Sequence, residues 1–191
     1  MKNLIIVLLT ITLSVNMANA QETTKTFAKG DNVLGVGFGV GGVYGFSTYS
    51  SQSPVFGLQY DRGIIELKMG GVIGVGGFVG YKSIVYKNNK NNGSYKDKWN
   101  IIVIGARGTF HYDLFKVDKL DTYAGTMIAF HAVGHSYDYP GNASYDGGKH
   151  ASAAYASLFA GAKYYFAPAV AGFAEVGYGV SWLTAGIAFK F

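Results

Sequence analysis

From residue 34 the even positions read Leu34, Val36, Phe38, Val40, Gly42, Tyr44 and Phe46, while the odd ones read Gly35, Gly37, Gly39, Gly41, Val43 and Gly45. A period of two is the signature of a β-strand, with one bulky apolar face and one nearly bare face. The same alternation returns along the chain. It sets Phe56, Leu58 and Tyr60 against Gly57, Gln59 and Asp61, and Ile73, Val75, Val79 and Tyr81 against Gly74, Gly76, Gly80 and Lys82. It then sets Ile102, Ile104, Ala106 and Phe110 against Arg107, and Ile128, Phe130 and Ala132 against Gly125, Met127 and His131. Near the carboxyl end three further segments alternate: Ala156 to Phe166, with Lys163 on the other face; Gly172, Ala174 and Val176, with Phe173 and Glu175 opposite; and Leu183 to Phe191. Eight antiparallel strands are predicted.

Pro54, Pro140 and Pro168 all fall in connections or at strand starts, where a missing N–H harms no ladder. Long polar connections are predicted at 47–53, 87–98 and 137–149, and short turns at the other end, save a longer one at 113–121. An even number of strands with alternating long and short connections fits a small closed barrel.

Ahead of this pattern stands a different one. Lys2, an apolar run over 4–15 and the small-residue site Ala18-Asn19-Ala20 form a secretory signal, so residues 1–20 are expected to be removed and 21–191 to fold as one domain. Composition agrees: hydrophobic residues make up 49 % of the chain, yet beyond the leader no apolar run is long enough for a spanning helix. An exported chain without cysteine must draw its stability from something other than disulfides. A closed barrel supplies it by hydrogen-bonding every strand, which lipid makes obligatory. The formal charge of +5 is modest and scattered, giving no nucleic-acid surface, and the lysines that cluster are Lys87, Lys90, Lys96 and Lys98, in an Asn-rich stretch read as a solvated mobile loop, with contact to phosphorylated lipid head groups as the alternative.

The last eight residues carry a sharper signal. Thr184, then Gly186, then aromatics at Phe189 and Phe191 resemble the terminal β-signal by which barrel-assembly machinery recognises outer-membrane proteins. Over 21–191 the chain also resembles the small OmpX/OmpA-type eight-stranded barrels in strand number, loop alternation and this terminal motif. The resemblance implies an all-β transmembrane barrel in a bacterial outer membrane, in contact with outer-membrane lipids and lipopolysaccharide and inserted by the assembly machinery. Aromatic residues near strand ends suit two interfacial girdles: Tyr44, Phe46, Tyr81, Trp99 and Trp182 at one end, Phe110, Tyr112, Tyr164, Phe166, Phe189 and Phe191 at the other.

Inside such a barrel Arg107 and Glu175 are expected at similar depth, as a structural lumen pair. No catalytic, cofactor or metal site is expected. His131 and His135 stand four apart, which on a strand is about 13 Å, too far to share an ion. His135 and Ser136 are adjacent and face opposite ways, and His111 and His150 have no evident partner. The run from Gly37 to Gly42 matches a dinucleotide fingerprint, but no helix follows it to receive a pyrophosphate. The expected role is therefore non-enzymatic: a barrel presenting polar surface loops. Two alternatives are a lipid A-modifying enzyme on the same scaffold, which needs His, Ser and an acid on the lipid face, and a soluble lipocalin-like carrier, which needs an apolar interior.

Overall fold

A computed structural model describes residues 26–42, 51–90, 93–138 and 152–191, with backbone alone at 86–90, 93–97 and 137–138. The strands are β1 (Asn32–Val40), β2 (Ser51–Gln52), β3 (Val55–Glu66), β4 (Val72–Lys90), β5 (Gly93–His111), β6 (Leu120–Asp138), β7 (Ala153–Ala167), β8 (Val170–Tyr178) and β9 (Leu183–Lys190). Each long strand pairs antiparallel with its neighbour, β4 with β5 among them, and β1 pairs with β9 from Val33↔Lys190 to Val40↔Leu183. The sheet is closed on itself. Eight strands form the wall, and the two-residue β2 lies beside β4 at Ser51↔Val85 and Gln52↔Ile84. Closure leaves no edge through the wall, so every ladder group there has a partner without water.

Several boundaries differ from the sequence reading. Residues 87–90 and 93–98, assigned to a loop, are strand. The β4–β5 ladder continues through Lys87↔Lys96 to Lys90↔Gly93, and β6 follows β5 as far as Lys96↔Asp138, so a hairpin projects beyond the apolar part of the wall. Residues 51–52, assigned to a loop, are strand. They continue the line of β3 across an interruption at Pro54, which has no N–H to offer, and there the Ser53 hydroxyl accepts from the Ser83 N–H at 2.9 Å. The first strand stops at Val40, not Phe46; Tyr44 and Phe46, and all of 139–151, lie outside the described residues. At the opposite end β3 and β4 are joined by a turn over 67–71, and β7 and β8 by Pro168 and Ala169. Between β8 and β9 the reversal is tight, with Gly179 at φ 117°, a conformation that side chains other than glycine rarely adopt.

The faces follow the alternation. Leu34, Val36, Phe38, Leu58, Ile102, Ile104, Leu158, Leu183 and Ile187 all point outward and are exposed, and Ile128 reaches 71 %. So continuous an apolar exterior exceeds what a soluble monomer shows and is a lipid-facing belt. Exposed aromatics bound it: Tyr81 and Trp182 on the side of the long connections, Phe110, Tyr112, Tyr164, Phe166, Phe189 and Phe191 on the side of the termini. Trp99 does not join its girdle. It is 5 % exposed and turned into the barrel, stacked on His135 at 4.8 Å between ring centroids.

The interior has three storeys. At the end holding the termini, Phe27, Val33, Val72, Tyr165, Ala171, Phe173 and Ala188 form one buried apolar cluster. Towards the long connections Ile84, Ile101, Val103, Met127 and Ala129 form a second, with Phe78 and Phe159 against it. Between them lies a charged layer. An inward glycine makes room for it: at Gly161 a Cβ would stand 2.8 Å from the Glu175 Cγ, while at Gly76, which pairs with both Asp61 and Arg107, a Cβ would fall on the Tyr60 carbonyl oxygen, so the bare position there lets β3 and β4 approach. Bulky side chains on the bare face of these strands would leave the charged groups no space.

Candidate functional site: a charged lattice inside the barrel

Alternation aims Gln59 and Asp61 of β3, Arg107, Thr109 and His111 of β5, Asp121 and Tyr123 of β6, Lys163 of β7 and Glu175 of β8 into the lumen. All of them are nearly excluded from water. A buried charge is tolerated only when paired, and the pairing here is continuous. The Arg107 guanidinium donates through Nη2 to Glu175 Oε1 at 2.8 Å and through Nη1 to Gln59 Oε1 at 2.8 Å. Its Nε lies 3.0 Å from Asp61 Oδ1, close enough for ion pairing though not aligned as a hydrogen bond. One face of the guanidinium covers the Phe159 ring at 4.2 Å. The Tyr123 hydroxyl donates to the same Glu175 oxygen at 2.8 Å.

Lys163 links this group to a second. Its Nζ stands 3.9 Å from Asp61 Oδ2, 3.5 Å from Asp121 Oδ2 and 3.5 Å above the Tyr123 ring, so it is held by charge and by the aromatic face. Asp121 in turn meets His111 Nδ1 at 2.8 Å, and His111 Nε2 lies 3.1 Å from Thr109 Oγ1. Phe27, ahead of the first strand, stacks on the His111 ring at 3.8 Å. It lines, with Asp121, Tyr165 and Lys190, a cavity of about 680 Å³ open at the end of the termini.

Thr109, His111 and Asp121 have the connectivity of a nucleophile, base and orienting acid. The setting does not suit that chemistry. Thr109 is 3 % exposed, a Cβ added at Gly74 would press on its hydroxyl, and Phe27 covers the imidazole. No substrate can lie beside the hydroxyl as these groups are packed. Among the described residues no three metal-binding groups converge.

The structure thus brings Arg107 and Glu175 together, but as two members of a larger lattice. Alternation alone puts Asp61 and Lys163 on the inner face without linking them and gives His111 no partner; the β5–β6 register sets His111 opposite Tyr123, two residues from Asp121. The terminal motif residues lie in β9 and just beyond it. Thr184 pairs with Glu175 and Gly39, its hydroxyl 2.6 Å from that of Ser181. Gly186 opposes Gly37 and Phe173, where a Cβ would meet the Val36 carbonyl. Phe189 and Phe191 point outward, and the Phe191 N–H donates to Asn32 O at 2.9 Å, fastening the carboxyl end to the first strand.

An apolar belt outside, a packed and charged lumen inside and a wall without edges define an eight-stranded transmembrane β-barrel, the architecture of the small outer-membrane barrels. No family model matches the chain, and no curated protein matches it significantly. Among solved structures it is similar to two of Ail, the attachment invasion locus protein of Yersinia pestis, one of them in complex with the heparin analogue sucrose octasulfate. Each is 13 % identical over 86 % of this chain and 100 % of that one, with TM-scores of 0.47 and 0.46. Neither likeness bears on what this chain binds.

Proposed function

We propose that the chain is an exported, non-enzymatic integral outer-membrane protein, a rigid barrel that presents its polar hairpin and connections at the cell surface, where they contact lipopolysaccharide, a partner or a host surface. In this reading residues 1–20 are a cleaved signal, the termini face the periplasm, and Thr184, Gly186, Phe189 and Phe191 serve the assembly machinery. The observation that carries it is the combination of an apolar belt with a lumen filled by its own ion pairs, which suits a scaffold better than a pore. The lattice then has a structural role: it ties β3, β5, β6, β7 and β8 to one another across the interior.

Cell fractionation with amino-terminal sequencing tests the proposal. The protein is expected in the outer-membrane fraction, resistant to alkaline extraction and beginning at Gln21. Recovery as a soluble periplasmic protein would sink it. Mass spectrometry of lipid A from cells with and without the chain tests the non-enzymatic part, and a change in acylation would favour the enzyme alternative.

A further inference from the structure

The connection between β5 and β6, residues 112–119, is longer than reversing two strands requires, and it exposes apolar side chains. Leu114 is 64 % and Phe115 63 % exposed. The outward line of β5 runs through Ile102, Ile104, Ala106, Gly108 and Phe110, and Tyr112, exposed just beyond the strand, extends it. The Phe110 and Tyr112 rings stack at 6.1 Å. Leu114 is exposed two residues beyond Tyr112, and the turn is tied through Lys119 to Tyr165, between the outward Tyr164 and Phe166 that end the belt on β7. The turn is also a fixed one. Leu114 N–H donates to Tyr112 O at 2.8 Å and to Thr122 Oγ1 at 3.3 Å, Leu120 N–H to Val117 O at 3.1 Å, and Tyr165 N–H to Lys119 O at 2.8 Å. Lys116 and Lys119 hold φ of 51° and 70°, which side chains rarely adopt without surrounding constraint. Finally, the turn has two sides. Tyr112, Asp113, Val117, Asp118 and Lys119 line the mouth cavity, whereas Leu114, Phe115 and Lys116 do not.

We propose that this turn is a lipid anchor: Leu114 and Phe115 insert into the leaflet at the end of the termini, and Lys116 lies among its phosphate groups. The occupant is phospholipid, because the exposed apolar residues prolong a surface already in lipid and a lysine stands at the polar boundary where head groups begin. The proposal rests on the membrane reading of the belt and goes beyond it. A turn ordinarily left in water becomes part of the membrane contact and sets how deep the barrel sits.

The chain has no cysteine, so single-cysteine variants report unambiguously. L114C, F115C, D113C, I104C and K29C, each carrying a nitroxide, are refolded into phosphatidylethanolamine and phosphatidylglycerol vesicles, and collision with oxygen is compared with collision with a water-soluble nickel chelate. Ile104 reports the belt, and Lys29, exposed on the terminal segment, reports water. The oxygen-to-nickel ratio at residues 114 and 115 is expected to be several-fold above that at 29 and close to that at 104, while 113 stays near 29. Nickel access at 114 and 115 equal to that at 29, with 104 still protected, would overturn the anchor and leave these residues to a periplasmic partner or a second copy. Nickel access at 104 itself would overturn the membrane reading and the anchor together.

Discussion

Arg107 is where the lattice is most exposed to a single change. Arg107→Met keeps much of the volume but removes the cation that faces Asp61 at 3.0 Å and Glu175 at 2.8 Å. Lys163, 3.9 Å from Asp61, then remains as the nearest compensation, and it is already shared with Asp121. Leaving buried carboxylates without their partner costs about 3 to 5 kcal/mol. Glu175→Gln is milder, because Arg107 keeps Asp61 and Gln59, and the loss is that of a hydrogen bond between charged groups, about 1.5 to 3 kcal/mol. In the double variant neither charge is stranded by loss of the other, so its cost should fall short of the sum by about 1 to 3 kcal/mol. Urea titration of the barrel in detergent, with tryptophan fluorescence or band shift as readout, measures all four proteins. Lys190 and Asp31, 3.7 Å apart and each about a quarter exposed, provide the control, since a solvated pair should couple by less than about 1 kcal/mol. Strictly additive losses at Arg107 and Glu175 would mean that the lattice is a juxtaposition of charges without mutual support, and the structural role proposed for it would fall.

Other features of the wall make separate predictions. Ile104→Arg or Leu158→Arg should destabilise the vesicle-inserted barrel by about 2 to 4 kcal/mol if these residues lie near the midplane, read from the same titration in lipid. Gly76→Ala should block assembly, because its Cβ has no room beside Tyr60, whereas Gly108→Ala, with nothing near its added carbon, should refold with unchanged yield. Phe27→Ala should cost about 3 kcal/mol as a lost buried ring and should open His111 to carbethoxylation by diethyl pyrocarbonate, followed by absorbance at the imidazole band.

What could be read from the sequence was what a strand decides locally. Period-two alternation assigns each residue to a face without reference to any other strand, which is why Leu34, Ile104 and Leu158 were placed outward and Asp61, Arg107, Lys163 and Glu175 inward. Trp99 was legible by the same rule, since it stands out of phase with Ile102 and Ile104, but an aromatic near a strand end invited the girdle instead. The projecting hairpin was not legible in this way. Beyond the membrane neither face of β4 or β5 need be apolar, so Lys87, Asn88 and Lys96 carry the composition of a loop while their backbones pair as strand. Which inward residues meet is a further step again, because it depends on the stagger between neighbouring strands accumulated around the whole barrel. Counting depth from strand ends brought Arg107 near Glu175, yet it could not show that β3 lifts Asp61 to the same level, nor that one hairpin register carries Asp121 to His111. Phe27 lies ahead of the first strand, where no periodicity applies at all. Its place over His111 follows from the hydrogen bonds that bind the terminal segment to the barrel rim, Gly30 N–H to Gly63 O at 2.9 Å and the Lys190 ammonium to Thr26 O at 3.3 Å. A side chain that closes a lumen needs the lumen formed first, and for that reason the chain's own stopper becomes visible only when the wall is complete.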